Sequence, residues 1–158
     1  MDFRMGDKVI HSTYGFGEII RIERKVINDH PTNCYVVRTN ELTIWIPIND
    51  LHQNSLRTPT LPDEFVRLFS ILTSPGEALP EDRVLRKDQL LANMKNGQLA
   101  SICQVVRDLT HFKRVKKLSD QEKSILERAM NSLLTEWIYS LGVPQHQAQQ
   151  AMMKMLDG

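Results

Sequence analysis

Cysteine is nearly absent from this chain: Cys34 and Cys103 are the only two in 158 residues, and neither stands at a metal-like spacing from the other or from a histidine. That argues against a disulfide scaffold and against a zinc site, and two scattered thiols fit a reducing compartment. Long apolar runs are also missing. Nothing approaches the roughly 18 to 20 residues that a bilayer-spanning helix needs, and the N-terminus reads as a charged strand rather than a signal peptide. The expectation is a cytoplasmic protein without a membrane partner. The five histidines, at 11, 30, 52, 111 and 146, form no HxxxH or HExxH pair. Gly15-Phe16-Gly17 lacks the third glycine and the following helix of a dinucleotide fingerprint, and it sits between strands. No nucleophile stands beside a base, and no carboxylate is marked as a poised acid. An enzyme is therefore not expected, nor a cofactor or a metal.

What the chain does have is an ordinary globular composition, 41% hydrophobic and 25% charged, long enough to bury a core as one domain or two small ones. The net charge of +1 conceals an uneven distribution. Residues 61–82 hold 1 basic and 5 acidic groups, whereas residues 83–117 hold 9 basic and 2 acidic ones. A polyanion, if one binds, would bind there.

Two periods divide the sequence. Up to about Asp50 it alternates: Val9-Ile10, Glu18 to Glu23, Cys34 to Arg38 and Leu42 to Ile46 are rich in strand formers. Turn signals separate them at Gly15 and Gly17, at Asn28-Asp29-His30-Pro31 and at Asn40-Glu41. Four or five short strands in about 50 residues predict a small twisted barrel of SH3 or Tudor type. From Leu61 the period becomes helical. Phe65, Leu68, Phe69 and Leu72 make one stripe, and Ser74-Pro75-Gly76 ends that helix. Further helices are expected from Glu81 to Lys95, closed by Asn96-Gly97, and from Gln98 to Lys116. Ser119-Asp120-Gln121-Glu122 is a capping box opening a long helix that Gly142 stops, and Pro144 can start a last short one. The fold class is thus α+β in the order β then α: an SH3/Tudor-like β-barrel over residues 1–52, a polar, proline-bearing linker over 53–61, and an all-helical domain over 62–158.

Two sets of residues are candidates for contact. Arg83, Arg86 and Lys87 stand at the start of the second helix, and Lys113 and Arg114 head a run of cations at the end of the third. These could meet phosphates without choosing a sequence, although cations at a helix C-terminus also simply favour its dipole. Trp45 shares one strand face with Thr43 and Pro47, opposite Leu42, Ile44 and Ile46. If the aliphatic face is the core, Trp45 points outward as an interface anchor; the reverse assignment would bury it.

The pattern Phe3-x-x-Gly6-Asp7-x-Val9-Ile10-x-x-x-Tyr14-Gly15-x-Gly17-x-Ile19-x-x-Ile22-Glu23, then Tyr35-Val36-Val37 and Ile46-Pro47, resembles the RNA-polymerase-interacting module of the CarD/CdnL transcription regulators, shared with transcription-repair coupling factors. Asn96-Gly97, Val105-Val106-Arg107-Asp108-Leu109 and Leu118-Ser119-x-x-Glu122-Lys123 resemble the helical domain of CarD, so nearly the whole chain is covered. The resemblance implies a barrel that binds the β subunit of bacterial RNA polymerase by strand addition, with Lys25 matching a basic residue of that contact and Trp45 standing where some members carry arginine. It also implies a helical domain lying on promoter DNA at the edge of the transcription bubble and altering open-complex stability. The tryptophan that many members wedge into the minor groove corresponds to Arg83 here, with no aromatic nearby, so stabilisation of the melted promoter by a wedge does not carry over. The alternative is a protein-interaction module of the same fold that leaves DNA alone.

Overall fold

A computed structural model describes residues 3–48 and 55–157. The chain divides between Pro59 and Thr60 into two compact units. The first is an antiparallel sheet of β1 (Lys8–His11), β2 (Gly15–Ile27), β3 (His30–Arg38), β4 (Thr43–Pro47) and β5 (Leu56–Arg57), in the order β4-β3-β2-β1-β5. The expected barrel is an open sheet among the described residues, with β4 and β5 as its edges and no pairing between them. Two residues of the expected linker belong to this sheet: β5 pairs with β1, and the Ser12 N–H donates to the Ser55 carbonyl at 2.8 Å. The rest of that stretch holds the boundary at Pro59, while residues 49–54, including His52, lie outside the described residues.

Each turn has its own cause. Gly15, at φ 78°, takes the left-handed conformation after the β1–β2 turn. His11 holds that turn: its Nδ1 accepts the N–H groups of Thr13 and Tyr14, at 3.0 and 3.2 Å. Gly17 is not a turn residue. It lies within β2, where a Cβ would come to 2.8 Å from Val37 Cγ1 and 2.9 Å from the Arg38 carbonyl oxygen. At the other end of β2, Asn28 and Asp29 both have positive φ (51° and 64°). Two such residues in a row suit a tight hairpin, so β2 and β3 continue well past the strand ends read from the sequence.

A bulge at Ile20 sets the register of that long hairpin. Ile19 pairs with Val37, but the next matched residue is Arg21, opposite Val36. The extra residue shifts the alternation, so that Ile19 and Ile22 share the face of Val37 and Tyr35 while Arg21, Glu23 and Lys25 take the opposite one. The core lies on the former face. Phe3, Val9, Ile19, Tyr35, Val37 and Leu56 form it, and the Phe3 N–H donates to the Tyr35 hydroxyl at 3.0 Å, which ties the start of the chain to the sheet.

The second unit is helical: α1 (Pro62–Arg67), α2 (Phe69–Thr73), α3 (Arg83–Lys95), α4 (Leu99–Lys113), α5 (Asp120–Leu141) and α6 (Gln145–Asp157). The single first helix expected from the stripe is interrupted at Leu68. The Ser119 capping box forms as read, with both reciprocal hydrogen bonds. Gly97 and Gly142, at φ 75° and 63°, follow α3 and α5 in the left-handed conformation. Asp82 rather than Glu81 starts α3: its carboxylate accepts the N–H groups of Val84 and Leu85. The core joins Phe65 and Leu72 to Leu109 of α4, Leu133 and Trp137 of α5 and Met152 of α6. The buried charged side chains are paired within it. Glu136 accepts from the Thr60 N–H and hydroxyl, at 2.8 and 2.6 Å, and Asp108 accepts from Arg107 and from the Glu77 N–H.

Candidate functional site

The edge strand β4 carries the first candidate surface. Ile44 and Ile46 pack toward the Phe3–Val9 core, so strand alternation turns Trp45 to the other face, with Val36 directly opposite it on β3. This agrees with the outward reading, although Trp45 is half-buried rather than free. Lys25 reaches it from β2. Its Nζ lies 4.1 Å from the centroid of the Trp45 ring, a cation–π arrangement worth about 0.5–1 kcal/mol at an exposed site. The strand between them is β3, so the two side chains meet above it and roof over Cys34 and Val36, both of which have no exposure. Burial pushes the Cys34 thiol up, with the Lys25 ammonium opposing it.

The polar border of this patch is charged. The Arg21 guanidinium donates to Glu23 at 2.8 Å, and this hydrogen bond is the main cause that holds the Glu23 carboxyl below its usual range. The Trp45 indole, whose Nε1 is buried, acts on Glu23 in the same direction. The result is an aromatic ring fixed between a cation and an anion beside a strand edge that has no partner among the described residues. An edge of this kind can accept another strand.

The basic segment divides on inspection. Arg83 is exposed and Lys87 half-buried in the first turns of α3. Arg86 is not a surface residue. It is 8% exposed, its Nε donates to Glu122 Oε2, its Nη1 donates to the carbonyls of Pro80 and Glu81, and its guanidinium lies 4.8 Å from the Phe112 ring. Arg86 is therefore not presented to a phosphate, because the side chain joins α3 to α5 inside the core. Burial pushes the Glu122 carboxyl up, but hydrogen bonds from Ser119 and Arg86 together outweigh it and hold it below its usual value. Arg114 is also engaged, donating to the Leu156 carbonyl at 2.7 Å and lying 3.7 Å from Asp157. Lys113 is exposed at the end of α4.

Two residues that the sequence reading passed over flank Arg83. Val84 and Leu85 are 68% and 58% exposed, so the first turn of α3 presents an aliphatic knuckle beside its cation. Among the described residues, no three His, Cys, Asp or Glu side chains gather as a metal site.

The boundaries of the two units coincide closely with those of two known domains. Residues 3–59 match the CarD-like/TRCF RID domain, and residues 67–153 match the CarD C-terminal domain. The chain belongs to the CarD family. A curated relative, "Putative transcription factor YdeB" of Bacillus subtilis (strain 168), is 28% identical over 151 residues, covering 92% of this chain and 96% of its own length. Within this CarD-family chain the RID match spans the whole sheet with its β4 edge, and the C-terminal match begins at the end of α1, taking in α3 with Arg83 and Lys87. The family is one of transcription regulators. None of the helices among the described residues is long and apolar enough to cross a membrane.

Proposed function

We propose that this CarD-family regulator docks on the β subunit of bacterial RNA polymerase through β4 and contacts promoter DNA through the first turns of α3, so changing open-complex stability in the cytoplasm. The observation that carries the reading is the outer edge of β4, which has no strand partner among the described residues, beside the Lys25–Trp45 stack. Main-chain hydrogen bonds along that edge would give affinity, and the stacked pair would select the partner.

DNA contact falls to Arg83 and Lys87. Val84 and Leu85 add what the missing tryptophan would have supplied, an apolar group able to press against a base step. The contact would be indifferent to sequence, because no base-reading side chain accompanies it.

An interaction assay with the polymerase β subunit tests the first half. Trp45→Ala should weaken binding by roughly thirty-fold or more, the range of an interface hot spot, and unchanged affinity would sink the β4 assignment. For the second half, replacing Arg83 and Lys87 by Ala should flatten the salt dependence of promoter affinity by about two phosphate contacts. A second reading, a polymerase-binding module that does not touch DNA, draws support from the burial of Arg86 and the tethering of Arg114. It predicts that the Arg83 and Lys87 substitutions leave promoter-complex affinity as it was.

A further inference from the structure

The helical unit has a second surface that neither contact uses. An open groove of about 540 Å³ lies among the end of α4, the first half of α5 and α6. Its floor is apolar: Leu118, Leu126, Leu134 and Met152 are buried, Met130 is half-buried, and Met153 is 47% exposed. Its rim is cationic at one end. Lys113 and Lys117 follow the course of α4 outward, and Lys123 sits in the first turns of α5. All three are exposed, and among the described residues none is ion-paired. The remaining rim is one carboxylate, Glu127, and two amides, Asn131 and Gln149.

Dimensions and charge narrow the occupant. From Lys123 to Leu134 the wall of the groove is about 16 Å long at 1.5 Å per residue, three turns of a helix. Methionine side chains are unbranched and polarizable, and adapt to whatever apolar shape meets them. Such a trough accepts the apolar stripe of an amphipathic helix. Three cations, separated along one end, call for several negative charges rather than the single head group of a fatty acid. Nor is a floor of leucine and methionine suited to a phosphate backbone, which is met by polar and positive groups. We propose that this groove docks an acidic amphipathic helix of a partner protein, its aliphatic face on Leu126, Met130 and Met152 and its carboxylates against Lys113, Lys117 and Lys123.

The test needs neither polymerase nor DNA, so its failure is separable from that of the functional reading above. The probe is a panel of capped, fluorescein-labelled peptides about four turns long, with Leu, Ile or Phe at i, i+3, i+4 and i+7 and Asp or Glu elsewhere, titrated with the full chain by anisotropy. Members of the panel should bind saturably and gain helix on binding. Isomers with Lys in place of the acids, or with the apolar spacing scrambled, should bind at least ten-fold more weakly. Lys117→Glu, a surface change that leaves the core alone, should lower affinity for the acidic peptides several-fold. Met130→Glu, checked for an unchanged circular dichroism spectrum, should lower it at least ten-fold. The proposal is overturned if no acidic peptide saturates, if the scrambled isomers bind as well, or if neither substitution alters binding. It is equally overturned if dodecanoate binds through these residues while the peptides do not, if Lys117→Glu weakens only duplex DNA, or if the groove is covered by a second copy, seen as a doubling of mass abolished by Met130→Glu.

Discussion

Arg86 shows how little a residue type says until its neighbours are known. In sequence it is one of nine cations in a basic segment, and at i, i+3 and i+4 with Arg83 and Lys87 it looks like a member of one exposed face. In the folded unit its side chain turns inward at the border of that face, where Glu122 receives it. Two ions taken out of water are tolerated only as a pair, so the two positions should behave as one. Arg86→Ala leaves an uncompensated buried carboxylate and should cost about 3–5 kcal/mol, read as the loss in urea-unfolding free energy. A double substitution, Arg86→Met with Glu122→Leu, should recover most of that loss. If the double variant is instead as unstable as the sum of the two single ones, the pairing has been misassigned. The same substitution separates a stability role from DNA contact, because Arg86→Met/Glu122→Leu should leave the salt dependence of promoter binding where it was.

Among the elements, β2 was the least legible and α5 the most. A capping box and a C-terminal glycine mark α5 at both ends with side chains whose partners lie three or four residues away, so the sequence alone carries the information. The ends of β2 are fixed from elsewhere. Its extension to Ile27 depends on pairing with His30 to Asn33, and the bulge at Ile20 is defined only by what it faces on β3. For the same reason Gly17 read as a turn, when its bareness answers to Val37 and Arg38, some twenty residues on. Open closure of the sheet, too, is a long-range property: β5 is two residues from a polar stretch that resembles a linker. That Trp45 stands on the face opposite Ile44 and Ile46 was legible because alternation in a short strand is local, whereas which face is the core, and the contact with Lys25 across β3, were not. Gly17→Ala puts a methyl group within 3 Å of β3, and should cost about 1–3 kcal/mol through overpacking, a shift visible in the melting of the sheet unit. Ser119→Ala removes one half of the capping box and should cost the helical unit about 1 kcal/mol.

Over the whole molecule, two units with separate cores are also two titrating systems, and each contains one tryptophan, Trp45 in the first and Trp137 in the second. In the first unit, burial holds the His11 imidazole below its ordinary value of 6.5. Below that pH the unfolded chain takes up a proton that the folded unit resists, so this contribution to stability is present at neutral pH and is lost as the pH falls below about 6.5. In the second unit the folded Glu122 carboxyl lies below its ordinary value of 4.5. Its stabilisation is present above that value and is lost only as the pH falls through the folded-state value. The sheet unit should therefore lose urea resistance first on acidification, by at most about 1.4 kcal/mol per pH unit for a single proton, and the helical unit later. Trp137→Phe isolates the Trp45 signal, and far-UV dichroism at 222 nm follows the helices. His11→Gln, which retains a side-chain acceptor for the turn without the titration, should flatten the sheet unit's response between pH 6.5 and 5 while leaving the helical unit's acid transition in place. A sheet unit whose stability falls just as steeply over that range without His11 would assign the proton to another group.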